Sequence, residues 1–177
     1  MGRQLASSLA LLAAFVVPRS APAQLLAGGV GPAFPVGDFQ QQFDPGTGLM
    51  LSGRLSLSIF PLIQLQLEAT TVQGWELSSG LGDPADYTIT TGGVNLAVHF
   101  VRVASVRPYA LGGLLIARQN EAVDDDGAWN WGYQIGAGLD LKVGPLKPFA
   151  EVRWVSVAAP GSTRHTYVPL LFGIKIL

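Results

Sequence analysis

From Trp129 to Leu141 apolar and polar residues alternate without a break. Trp129, Trp131, Tyr133, Ile135, Ala137, Leu139 and Leu141 take the odd positions, and Asn130, Gly132, Gln134, Gly136, Gly138 and Asp140 the even ones. Successive side chains of an extended chain point to opposite sides, so this segment predicts a strand with one wholly apolar face. A helix would spread both sets around its circumference.

The same period recurs along the chain. Leu51, Gly53, Leu55, Leu57 and Ile59 oppose Ser52, Arg54, Ser56 and Ser58, and Ile63, Leu65, Leu67 and Ala69 oppose Gln64, Gln66, Glu68 and Thr70, with Phe60-Pro61 as the turn between them. Val94, Leu96, Val98 and Phe100 mark a further strand, and Val168, Leu170, Phe172, Ile174 and Ile176 another. Less regular strands are expected at 25–34, 107–118 and 148–157, which brings the expected number to about eight. Short turns near 60–61, 102–106 and 144–147 alternate with long polar connections over 36–47, 74–86, 119–128 and 158–166. This rhythm predicts an antiparallel up-and-down barrel with both termini on the short-turn side.

The 177 residues are 49% apolar and only 13% charged, without a cysteine. Beyond the N-terminus no run approaches the roughly 18 to 20 apolar residues of a membrane helix. The N-terminus has its own explanation. Arg3, the apolar run Leu9–Val17 and the small-x-small step Ala21-Pro22-Ala23 read as a cleaved signal peptide over 1–23, leaving a single domain over 24–177 that begins at Gln24. Without cysteine there is neither a disulfide framework nor a lipid-modified N-terminal thiol, so membrane attachment falls to the body of the chain.

Charge placement decides which face of the strands points inward. The polar face carries Arg54, Glu68, His99, Asp140, Lys142, Glu151, Arg153 and Lys175 among Gly and Ser, while the opposite face is expected to hold no charge at all. A water-facing surface normally carries many charges of both signs. A crowded lumen favours small residues and matched charges, and a lipid-facing wall excludes charge. The alternation therefore reads as a transmembrane β-barrel; a soluble lipocalin-like binder is the inverted alternative.

The long connections hold nine acidic residues (Asp38, Asp44, Glu76, Asp83, Asp86, Glu121, Asp124, Asp125 and Asp126) against Arg118 and Arg164, so the loop end is expected to be acidic. Phe60, Phe100, Tyr109, Phe149 and Phe172 near the turns, with Trp75, Tyr87, Trp129, Trp131 and Tyr167 near the loops, suggest two aromatic girdles.

Three ion pairs are expected inside the lumen. A turn near residue 61 sets Arg54 beside Glu68, and a turn at 146–147 would set Asp140 opposite Arg153 and Lys142 opposite Glu151. These six residues are read as structural filling of a barrel whose interior only just admits side chains.

No catalytic, cofactor or metal site stands out. His99 and His165 have no carboxylate neighbour in sequence, and Glu121 with Asp124–Asp126 matches no dedicated calcium loop. No phosphate-cradling Gly-rich loop and no basic patch for nucleic acid is present.

The segments Gly28-Gly29-Val30-Gly31 with Pro35-Val36-Gly37-Asp38-Phe39, Val106-Arg107-Pro108-Tyr109-Ala110, Leu146-Lys147-Pro148-Phe149-Ala150-Glu151-Val152-Arg153-Trp154 and Gly173-Ile174-Lys175-Ile176-Leu177 resemble the small outer-membrane β-barrel families of the opacity-protein and surface-antigen type. The resemblance implies an eight-stranded barrel, contact with outer-membrane lipid, and insertion by the barrel-assembly machinery. It also implies long acidic loops facing outward and periplasmic termini. Where the family usually ends in an aromatic residue, this chain ends in Leu177. The expected role is that of a monomeric, non-enzymatic scaffold with a structural or surface-interaction function and no wide pore. The alternatives are a narrow pore or a route for small hydrophobic molecules, and a lipid-active enzyme using His99 or His165.

Overall fold

The computed structural model describes residues 24–42, 48–76, 86–121, 129–143, 146–159 and 164–176. Eight strands follow in chain order: β1 (Gln24–Val36), β2 (Gly48–Phe60), β3 (Ile63–Glu76), β4 (Asp86–His99), β5 (Val106–Glu121), β6 (Trp129–Leu141), β7 (Lys147–Ala158) and β8 (Arg164–Ile176). Each pairs antiparallel with the next, and β8 pairs with β1, so the sheet closes into a barrel without a free edge. The leader expected over 1–23, the acidic run Asp124–Asp126 and Leu177 lie outside the described residues.

Parity along each strand separates the two faces. Leu114 is 70% exposed and Ile135 59%, whereas Gln66 and Asn95 on the opposite parity are fully buried. The barrel therefore turns its apolar residues to the surroundings and its polar residues to the interior, the reverse of a water-soluble barrel.

Several sequence expectations are corrected here. The strand read from Val94 extends back to Asp86, because Thr88 and Thr90 continue the outward row with side chains too polar to register as an apolar period. Arg118 and Arg164 are strand residues of β5 and β8 rather than loop residues. Tyr87, Tyr109, Phe149 and Tyr167 are buried in the lumen instead of joining the girdles, while Phe60, Phe100, Phe172, Trp129 and Trp131 do face outward.

The β6–β7 hairpin is also shifted. It narrows to a Val143–Leu146 bridge, and Asp140 pairs with Phe149, Gly138 with Glu151 and Gly136 with Arg153. A turn displaced toward the N-terminus re-registers every pair beyond it. The expected Asp140–Arg153 and Lys142–Glu151 partners therefore do not meet, and Lys142 sits exposed just after β6.

A 3₁₀ helix over Gly37–Gln42 follows β1 within the first long connection. Gly37, with φ at 66°, supplies the left-handed turn that starts it. Its Phe39 is fully buried against the barrel.

Candidate functional site

The centre of the lumen holds two arginines and two glutamates from three strands. Arg54 of β2 reaches Glu68 of β3 at 3.2 Å and Glu151 of β7 at 3.0 Å. Arg153 of β7 donates to both oxygens of Glu68, at 2.6 and 2.7 Å, and its Nε donates to Glu151. All four side chains are at most 2% exposed.

A shell of neutral groups surrounds these charges, although Arg54 Nε is left without a hydrogen-bond partner. Ser52 Oγ and Asn95 Nδ2 donate to Glu68 at 2.6 and 2.9 Å, and Tyr109 Oη donates to Glu151 at 2.5 Å. Gln134 accepts from Arg153 at 2.9 Å and donates to Asn95 at 2.8 Å. A buried charge is tolerable only when its opposite and its hydrogen-bond partners are present, and here the charges cancel in number.

Gly138 and Gly136 make this arrangement sterically feasible. A Cβ on Gly138 would overlap the ring of Tyr109 and the Ala150 carbonyl, and one on Gly136 would meet the Arg153 side chain and the Val152 carbonyl.

On the turn side a smaller group follows. Asp140 lies 2.6 Å from Lys175 Nζ and 3.3 Å from His99 Nε2. The Lys175 ammonium also stands over the Tyr109 ring at 5.0 Å and the Phe149 ring at 5.7 Å. His99 thus has a carboxylate neighbour that its sequence surroundings do not reveal, because Asp140 comes from β6.

On the loop side the lumen becomes apolar. Met50, Val72, Ile89, Leu115, Val155 and Tyr167 are buried together with Phe39. His165 stacks on Phe39 at 4.4 Å, and its Nδ1 lies 2.9 Å from the Tyr87 hydroxyl, which donates to Gln119 at 2.8 Å. Charged, polar and apolar layers thus succeed one another along the barrel axis.

The outer wall departs from expectation at one end. Arg164 of β8 lies with its guanidinium 5.0 Å from the ring of Trp131 and 5.0 Å from that of Tyr133, both outward residues of β6. Arg118 of β5 pairs with Trp129 in the same outward row. The apolar face therefore carries two guanidinium groups near the loops.

Arg54, Glu68, Glu151 and Arg153 are thus brought into one cluster, Asp140 into a second, and Lys142 into neither. The parts missed in the sequence are Asn95, Gln134 and Tyr109. The first two share the parity of the charged residues, a signal present but unspecific, and Tyr109 reads as an interfacial aromatic until register places it inside.

The closed eight-stranded topology and its inverted faces invite comparison with solved structures. Neisserial surface protein A superposes with a TM-score of 0.68 at 12% identity, covering 86% of this chain and 96% of that one. The chain has the fold of the eight-stranded outer-membrane barrels. The N-terminal β-barrel domain of Pseudomonas aeruginosa OprF shares this fold with a TM-score of 0.54 at 13% identity, covering 86% of this chain and 97% of that domain. P. aeruginosa OprG shares it with a TM-score of 0.51 at 16% identity over 88% and 95% of the two chains. No protein-family model matches the sequence, and no curated protein matches it.

Proposed function

We propose that the chain is an integral protein of the bacterial outer membrane, mature from Gln24, whose barrel is a side-chain-filled scaffold for its loops. The observation that carries this reading is the inverted wall. Leu51, Val94, Leu114, Ile135 and Val152 face outward and exposed, while Arg54, Glu68, Glu151 and Arg153 neutralise one another within. In water that wall would be an apolar patch far larger than a soluble monomer exposes; in lipid it meets its matching solvent.

In this reading the long acidic loops face outward and both termini face the periplasm. The barrel inserts through the barrel-assembly machinery as a monomer and performs no catalysis. Its role is structural or one of surface interaction, without a wide water path. The charged cluster and the apolar layer around Phe39 support a closed lumen, since ions crossing it would displace both.

Fractionation of cells with and without detergent tests the location. The protein is expected in the detergent-dependent outer-membrane fraction, and recovery from the aqueous periplasmic fraction would overturn the reading. Planar-bilayer recording tests the lumen, where large stable conductance steps would exclude a closed barrel.

A further inference from the structure

Arg164 is an unusual residue for a lipid-facing wall, and its surroundings are organised rather than accidental. Its Nε donates to Ser156 Oγ at 2.8 Å and its Nη2 to the Ser156 carbonyl at 3.1 Å. Arg164 pairs with Ala158 across β7–β8, and the small residues Ser156 and Ala158 let its side chain lie across β7 to reach the rings of Trp131 and Tyr133 on β6. Thr166 Oγ1 steadies Ser156 from β8 at 3.4 Å.

Two of the five guanidinium N–H groups are used in this way. Among the described residues no acceptor is assigned to the others, and no carboxylate ion-pairs with Arg164. The held guanidinium thus keeps a positive charge at the loop end of an apolar belt, half-buried between rings that are themselves exposed, with Trp131 61% open. Arg118, one row nearer the loops, pairs in register with Trp129 on the same outward row.

We infer that the outer wall of β6–β8 carries a binding site for the phosphate of an anionic lipid, with Arg164 as its anchor. The planar fork of arginine matches phosphate oxygens in pairs, and its contact with Ser156 fixes the orientation before the lipid arrives. Trp131 and Tyr133 stand where the headgroup meets the acyl chains, a level that suits amphipathic rings. The apolar row below them, Ile135, Val152 and Trp154, is exposed along the path of the acyl chains. The site rests on the membrane reading above, because the lipid arrives through the bilayer.

The test uses the full-length protein folded in neutral detergent micelles containing phosphatidylcholine and phosphatidic acid, with retained lipid counted by native mass spectrometry. Wild type is expected to retain phosphatidic acid in preference to phosphatidylcholine. Arg164→Gln should weaken that retention about tenfold, the effect of one charge-assisted partner. Arg164→Lys should recover part of it, and Arg102→Gln, in an exposed turn at the opposite end, should leave it unchanged.

Heat-dependent electrophoretic mobility reports folding of each variant. Should Arg164→Gln fail to fold, Ser156→Ala takes its place, with a loss of about threefold expected from freeing the guanidinium. Equal retention by wild type and the variant would overturn the site, and displacement by inorganic phosphate at matched concentration would reduce it to a free-anion site. A wild type that stays monomeric in water without detergent defeats the membrane reading itself. One that requires detergent but shows no preference for phosphatidic acid defeats this proposal alone.

Discussion

Arg153 of β7 donates to both carboxylate oxygens of Glu68 on β3, two strands with no shared edge that face each other across the lumen. Removing the guanidinium leaves two buried carboxylates with Arg54 as their remaining arginine. Arg153→Met is expected to lower barrel stability by about 3–5 kcal/mol, as found when one partner of a buried pair is removed. Adding Glu68→Leu to Arg153→Met should return part of that loss, because the uncompensated charge goes with it. Urea unfolding in lipid vesicles, followed by electrophoretic mobility, measures both, and strict additivity of the two losses would show that the pair is not coupled.

Gly138 and Gly53 separate two uses of glycine. A Cβ at Gly138 would meet the Tyr109 ring and the Ala150 carbonyl, whereas one at Gly53 meets nothing within 4 Å. Gly138→Ala should therefore cost about 1–3 kcal/mol by forcing Tyr109 away from Glu151. Gly53→Ala should be stabilising by about 0.5–1 kcal/mol through the unfolded chain. The same unfolding experiment ranks the two, and a larger loss at Gly53 would contradict the packing.

Leu114 stands 70% exposed in the middle of the wall, paired with Val94 and Tyr133. On the proposed membrane location, lipid at this depth makes Leu114→Arg costly by about 2–4 kcal/mol. Were this surface wet, the substitution would be nearly silent. Folding yield into phosphatidylcholine vesicles distinguishes the outcomes.

Ala104, in the turn between β4 and β5, holds φ at 53°, the left-handed region. The turn is closed by mutual backbone hydrogen bonds between Val103 and Val106 at 2.9 and 3.0 Å. Ala104→Gly relieves the steric cost of that conformation and should raise stability, by up to about 1 kcal/mol. A fall in the unfolding midpoint would place the turn in another conformation in solution.

Period two made most of the barrel legible in the sequence. β6 alternates so cleanly that its faces can be assigned residue by residue, and Arg54 stands opposite Glu68 as expected, although the turn falls at Pro61-Leu62 and an irregularity between Ser58 and Phe60 restores that register. Legibility faded where a face lost its contrast. Thr88 and Thr90 sit on the outward row of β4 without an apolar signature. Arg118 and Arg164 read as loop charges because nothing local announces that aromatic neighbours on another strand will receive them. The β6–β7 partners were lost to a displaced turn, and the contacts of Glu151 with Arg54 and of Arg153 with Glu68 cross the interior, where strand-to-strand pairing rules do not apply.

The cross-lumen cluster also bears on how such a barrel reaches its final state. Glu151 and Arg54 are separated by 97 positions in sequence, and their carboxylate and guanidinium meet only when the last strands have come round to face the first. An unfinished sheet would leave these ions without their partners, a costly state for charges taken out of water. Closure is thereby made cooperative: the seam between β1 and β8 seals together with the ions at the centre.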